Sequence, residues 1–255
     1  MVGRLWLIGG TQESAELSRG LAANQVPCVV TVISASARRL YPQSEHLWVH
    51  VGSLTAREMA AFLRRWEIYA VLDASHPFAG EISQLAIATC QIHQLPYLRY
   101  ERPTVSSPSP LMNPVPSLDV LLTTAPAANE RILLLVGSRW LGRFQPWQQQ
   151  ATLFTRILPT QNALVAATAA GFSCDRIIAL RPPIGDPLEA ALWRHWQITR
   201  VITKASGPPG EQTKARTSEK LNVPMDVIQR PKIRYPQQTA DLQAAIQWSV
   251  SINKI

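Results

Sequence analysis

Short apolar runs alternate with helix-length segments along almost the whole chain, and this alternation restricts the possible folds more than any other feature. Residues 5–8, 29–33, 46–51, 69–74 and 97–100 read as strands. Between them, residues 13–24, 55–66 and 80–93 carry apolar side chains at helical spacing. Met59, Phe62, Leu63 and Trp66 share one helix face, and Thr55 with Glu58 three positions later forms a capping box. Beyond residue 130 the pattern resumes. Strands are expected at 132–136, 151–157, 176–180, 200–203 and 225–228, and helices at 161–170, 187–196, 210–221 and 239–252. Strands and helices in this order build βαβ units, so the class is α/β with parallel sheets covered by helices.

The stretch from Pro103 to Pro116 holds prolines at 103, 108, 110, 114 and 116. Proline lacks an amide donor and fixes φ, which excludes helix interior and central strand, so a linker is expected here. The chain of 255 residues is long enough for a core on each side of it. The expected architecture is two Rossmann-like parallel-sheet domains with an inter-domain cleft. Residues 1–116 form the dinucleotide-binding domain with its linker, and residues 117–255 form the substrate-binding domain. Ligands are expected at the carboxyl ends of the strands.

A formal net charge of +8 points to an anionic partner. Arg38-Arg39 and Arg64-Arg65 are pairs rather than a dense basic run, so nucleic acid is not expected. Cys28, Cys90 and Cys174 are far apart and odd in number, which argues against a disulfide framework and a zinc site; no metal is expected, and each thiol is read as buried. The sequence has no apolar run of the roughly 18–20 residues a membrane span needs, and its start lacks the pattern of a signal peptide. No membrane association and a cytoplasmic location are expected. The oligomeric state is left open.

The first strand runs into Gly9-Gly10-Thr11-Gln12-Glu13 and then a helix. Glycines allow a sharp turn and a close approach to a phosphate, and the helix start adds amide donors and the positive end of its dipole. The stretch departs from G-x-G-x-x-G and suits a ligand-free turn as well. After the second strand, Ser34, Arg38 and Arg39 stand where NADH-preferring proteins place a carboxylate; hydroxyl and guanidinium groups suit a 2′-phosphate, hence NADPH over NADH. The fourth strand ends in Asp73-Ala74-Ser75-His76-Pro77-Phe78-Ala79. Ser75 is a candidate cofactor contact, and Asp73 or His76 could give a proton or touch substrate. In the second half, Lys204, Ser206, Gly207 and Lys214 surround a strand–loop–helix junction that reads as an anion site, where free amides and two ammonium groups should converge. No tyrosine has a lysine four residues later, which argues against the acid/base pair of short-chain dehydrogenases.

Taken in order, several segments resemble the precorrin-6A reductases and their cobalt-precorrin counterparts. They are the opening through Gly9-Gly10-Thr11-Gln12-Glu13, then Asp73 to Ala79, Arg99 to Pro103, Arg156 to Pro159, Thr203 to Gly207 with Gly210 and Lys214, and Arg230-Pro231. The chain departs from the family at Arg181-Pro182-Pro183-Ile184, Ala205 and Pro208-Pro209. The resemblance implies hydride transfer from NAD(P)H to a ring double bond of an anionic tetrapyrrole in cobalamin biosynthesis, with a proton added at the neighbouring carbon. It implies neither metal nor flavin. His76 and Lys204 are then the catalytic candidates. His76, Phe78, Lys204, Ser206, Gly207 and Lys214 are the candidate substrate contacts. Alternatives are another NAD(P)-dependent reductase of an acidic small molecule, and a non-catalytic dinucleotide-sensing protein.

Overall fold

A computed structural model describes residues 3–104 and 109–253. In chain order, β1 (Arg4–Ile8), α1 (Gln12–Ala23), β2 (Cys28–Val32), α2 (Ala35–Arg38), β3 (Leu47–Val51), α3 (Ala56–Trp66), β4 (Ile68–Asp73), α4 (Gly80–His93) and β5 (Tyr97–Tyr100) come first. Then follow β6 (Met112–Val115), α5 (Leu118–Leu122), β7 (Arg131–Leu135), a 3-10 segment (Ser138–Gln149), β8 (Thr152–Ile157), α6 (Gln161–Ala169), a short 3-10 turn (Cys174–Arg176) and β9 (Ile177–Ala179). The chain continues through α7 (Asp186–His195), β10 (Arg200–Lys204), α8 (Gly210–Leu221) and β11 (Met225–Ile228), and ends with β12 (Gln238–Thr239) and α9 (Leu242–Asn253).

Two parallel sheets result, in the order β12-β5-β4-β1-β2-β3 and β6-β11-β10-β7-β8-β9. Each belongs to its own compact unit: Met1–Arg102 with Pro231–Ile255, and Pro103–Arg230. In the first sheet the order reverses between β1 and β4, and in the second between β7 and β10. Such reversals leave a crevice beyond the carboxyl ends of the strands, where ligands of open α/β sheets bind.

In β1, Leu5 and Leu7 enter one core with Leu17, Leu21 and Ile246, while Trp6 and Ile8 enter the other with Met59, Phe62 and Leu63. Successive strand side chains point to opposite faces, so one five-residue strand serves two apolar layers. In the second unit, Leu133, Val201 and Met225 pack against Trp193 and Trp196.

The boundary expected between residues 116 and 117 is corrected on both sides. Residues 112–115, read as linker, form an edge strand paired with β11, with Pro114 opposite Val227. An edge position lets Pro114 lack its amide without breaking an internal ladder. Residues 105–108, including Pro108, lie outside the described residues. At the other end, β12 pairs with β5, and Ile246 of α9 packs so close to α1 that a Cβ on Gly20 would lie 2.3 Å from its Cδ1. The last 25 residues thus complete the first unit. The final helix starts at Leu242 rather than 239 because the preceding residues are drawn into β12. Cys28 and Cys90 are buried, but Cys174 is exposed, in a turn that its polar neighbours Ser173 and Asp175 hold at the surface.

The contact between Gly20 and Ile246 is a fit of sizes. Gly20→Leu should lower stability by about 1–3 kcal/mol through overpacking. Adding Ile246→Ala should restore part of that loss, although Ile246→Ala alone costs about 2–5 kcal/mol. Denaturant unfolding of the two single variants and the double variant measures this; strictly additive losses would show that the two side chains do not compete for one space.

Candidate active site

β1 leads into Gly9 and Gly10. Gly10 has φ of +102°, which strains an L side chain, and a Cβ there would meet no protein atom within 4 Å. Thr11 caps α1: its Oγ1 accepts the Ser14 N–H at 3.1 Å and donates to the Ala74 carbonyl at 3.0 Å. That second bond pins the turn to the end of β4. The amides of the turn are largely taken by protein. Gly9 N–H donates to the Thr31 carbonyl at 3.0 Å, Gly10 N–H to Tyr41 Oη at 2.7 Å and Thr11 N–H to Ser14 Oγ at 3.0 Å. Among the described residues, Gln12 and Glu13 keep first-turn amides with no protein acceptor, at the positive end of α1. The Glu13 carboxylate is paired with Arg102 at 2.8 Å, so it brings no bare negative charge to that end. Beyond β2, Ser34 caps α2 by accepting the Ala37 N–H at 3.3 Å, and Arg38 and Arg39 are exposed.

At the end of β4, Asp73 is fully buried. One of its oxygens accepts from Ser75 N–H at 2.9 Å and Arg99 Nη1 at 2.8 Å, the other from Ser83 Oγ at 2.5 Å and Tyr97 Oη at 2.7 Å. Arg99, 1% exposed, also donates to Ser75 Oγ at 3.0 Å and Glu101 at 2.8 Å. Burial, with Asp73 next, pushes the Tyr97 phenol far up, so it remains a donor. Both Asp73 and the Ser75 side chain are therefore engaged inside the protein, which leaves His76 as the group of this loop nearer solvent. His76 Nδ1 accepts the Phe78 N–H at 3.2 Å, so the neutral ring carries its proton on Nε2.

In the second unit β10 ends at Lys204. Its ammonium lies 4.7 Å from the centre of the Trp140 ring, and a Cβ on Gly137 would be 3.6 Å from it. Burial first, and the Arg139 charge second, push Lys204 down to about 8. Lys214 is buried in α8 and donates to Thr203 Oγ1 at 2.6 Å. Burial and then Arg156 push it down to about 8, against the pull of Glu211 and Glu189. Glu211 accepts the Gly207 N–H at 2.7 Å. Glu189 accepts from Trp193 Nε1 at 3.0 Å and pairs with Arg156. The expected convergence of free amides and two ammonium groups is corrected here. The Gly207 amide already has a buried carboxylate, and Lys214 lies under the loop, fastened to β10. Lys204 and Ser206 are half-buried at its surface.

Residues 4–249 match the family model described as precorrin-6x reductase CbiJ/CobK. The chain is 46% identical over 242 residues to a cobalt-precorrin-6A reductase of Synechocystis, covering 93% of this chain and 92% of that one. The chain belongs to the precorrin-6x reductase family. A Salmonella typhimurium cobalt-precorrin-6A reductase is 30% identical over 232 residues, covering 90% of this chain and 88% of that one. The solved structure of CobK precorrin-6A reductase shares the fold, with a TM-score of 0.82 at 24% identity, covering 98% of this chain and 97% of that one.

A precorrin-6x reductase is an oxidoreductase that acts on a carbon–carbon double bond and uses a nicotinamide cofactor. The turn in the first unit fits such a dinucleotide: its positive-φ glycine has an open Cβ direction, and among the described residues the Gln12 and Glu13 amides have no protein acceptor. Three features of this reductase were missed in the sequence. Tyr41 carries no motif signal, and Arg99, although it opens one of the resembling segments, gives no sign there that it answers Asp73; both roles depend on contacts 31 and 26 positions away. Trp140 lies in a 3-10 segment whose sequence has no regular period. Among the described residues, no group of three or more His, Cys, Asp or Glu could hold a metal ion, and no helix is long and apolar enough to cross a membrane.

The buried lysines make stability depend on pH. A lysine whose folded value is about 8 binds fewer protons when folded than when unfolded, from pH 8 up to its ordinary value of about 10.5. Native stability should therefore rise with pH across that window. Lys214→Met removes one such group, so its unfolding free energy should rise less than the wild type's between pH 8 and pH 10. Equal slopes in urea titrations at the two pH values would show that Lys214 titrates normally.

Proposed function

We propose that this reductase prefers NADPH, holds it on the first unit, and binds the tetrapyrrole on the second, with Ser206 as a carboxylate contact and Lys204 as the proton donor. The chain is a precorrin-6A-type reductase of cobalamin biosynthesis. The 46% identity to a cobalt-precorrin-6A reductase favours the cobalt-bearing tetrapyrrole as substrate. The cofactor reading rests chiefly on the loop beyond β2. Residues 33–44 contain no carboxylate, and Ser34, Arg38 and Arg39 are exposed there. In such sheets this loop meets the adenosine ribose, and guanidinium groups there suit a 2′-phosphate. Gln12 and Glu13 then offer their amides to the pyrophosphate, with Thr11 holding the turn against β4.

Reduction of a carbon–carbon double bond adds a hydride and a proton. A nicotinamide cofactor held on the first unit would supply the hydride. Lys204 supplies the proton: its ammonium becomes a neutral amine and is re-protonated from solvent. Burial makes that loss easier near neutral pH, and the Trp140 ring face keeps the ammonium in place. Asp73, engaged with four donors, orders the loop.

Two experiments test this. Replacing Arg38 and Arg39 together with Ala should lower kcat/KM with NADPH by about tenfold or more and leave NADH nearly unaffected, since a charged hydrogen bond is worth about 1.5–3 kcal/mol. Equal use of both cofactors by the wild type would overturn the NADPH preference. Lys204→Ala should lower kcat/KM for the tetrapyrrole by roughly tenfold to a hundredfold, with NADPH affinity retained. In the wild type kcat should fall as pH rises through about 8, as Lys204 loses its proton before it can donate it. A kcat flat from pH 7 to pH 10 would assign the proton to another group, with His76 next to be tested.

A further inference from the structure

The hydroxyl of Tyr41 joins two parts of the first unit that the cofactor reading treats separately. Tyr41 is 8% exposed and follows α2. Its backbone N–H donates to the Arg38 carbonyl at 3.2 Å, so it continues the loop that carries Arg38 and Arg39. Its ring crosses to the glycine turn, where Oη accepts the Gly10 N–H at 2.7 Å and lies 2.7 Å from Ser14 Oγ. The proton positions follow from the neighbours. Ser14 Oγ donates its single proton to the Thr11 carbonyl at 2.7 Å, so between Tyr41 and Ser14 the phenol is the donor. Burial pushes the phenol up from its ordinary value, which keeps that donor protonated. Gly9 is what admits the ring: a Cβ there would lie 2.3 Å from Tyr41 Oη and 2.8 Å from Val30 Cγ1.

The covalent structure of a dinucleotide fixes the distance between its 2′-phosphate and its pyrophosphate. A protein that reads both from separate loops gains affinity when the loops are held at the matching separation before binding. Tyr41 is bonded to Arg38 at one end and to Gly10 and Ser14 at the other.

We propose that Tyr41 is a positioning residue for cofactor choice: it ties the loop reading the 2′-phosphate to the turn facing the pyrophosphate, so that a cofactor carrying both groups is favoured. This rests on the NADPH reading above. Tyr41→Phe removes only the hydroxyl and leaves the ring packed. By calorimetric titration, NADPH should bind the variant about tenfold more weakly, the loss of one well-placed hydrogen bond, and NADH less than about threefold more weakly. A purely structural role would weaken both by the same factor, and that outcome, like no change in either, would overturn the proposal. Wild-type protein that binds neither dinucleotide would instead overturn the cofactor reading itself. A second measurement does not depend on the variant folding. In the wild type, exchange of the Gly10 amide should be slow without ligand and slower still with 2′-AMP, which carries the 2′-phosphate and no pyrophosphate. A Gly10 amide that 2′-AMP leaves unchanged would show that the two loops are not coupled.

Discussion

The Asp73 carboxylate is shut off from water and receives donors from Ser75, Ser83, Tyr97 and Arg99, which belong to the β4 loop, α4 and β5. A charge this deep is tolerated only when it is paired and its lone pairs are filled. Arg99 answers it while being held in turn by Glu101 and by the Tyr235 ring, 5.2 Å away. The consequence is geometric. Ser75 is held by both its backbone and its side chain, so the chain leaves β4 in one direction, and His76 follows from a fixed point. The Ala74 carbonyl is placed by the same arrangement, and Thr11 bonds to it, so the glycine turn inherits its position from the Asp73 network.

The two glycines of that turn have different duties. Gly10 is needed for its positive φ, whereas Gly9 is needed because a phenol occupies the space of its missing side chain. Most turn amides are consequently taken by protein groups, and among the described residues the Gln12 and Glu13 amides at the start of α1 are left without a protein acceptor. This differs from a glycine-rich nest in which consecutive amides face the ligand. The second unit solves its own problem with charge. Buried Lys214, Glu211 and Glu189, with half-buried Arg156 paired to Glu189, surround the junction after β10 from which Lys204 and Ser206 emerge.

Strand–helix alternation made both parallel sheets legible, because each βαβ unit is a local pattern of period 2 followed by period 3.6. Misreadings came where pairing is long-range. Pro114 suggested a linker, yet an edge strand tolerates proline. The two residues of β12 are too few to leave a pattern, and their strand character comes from β5. The site was legible in part. Gly9, Gly10 and Lys204 stand out by residue type and position. Tyr41 and Trp140 do not, since nothing in their neighbours along the chain marks them, and the segment that begins at Arg99 does not disclose its pairing with Asp73.

The amino-acid sequence alone determined the α/β class, the turn after the first strand, the missing carboxylate after the second, and a resemblance to the reductase family that the comparisons made firm. These are properties of residue order, and residue order also governs local hydrogen bonding and the burial of alternating faces. Only the tertiary structure decided that the final helix completes the first unit, that the Gly10 and Gly207 amides are already taken, and that Lys214 lies beneath its loop. Those outcomes depend on which side chains meet across the fold, and burial gives a hydroxyl or an ammonium its partner and its proton affinity only once the surrounding elements have packed.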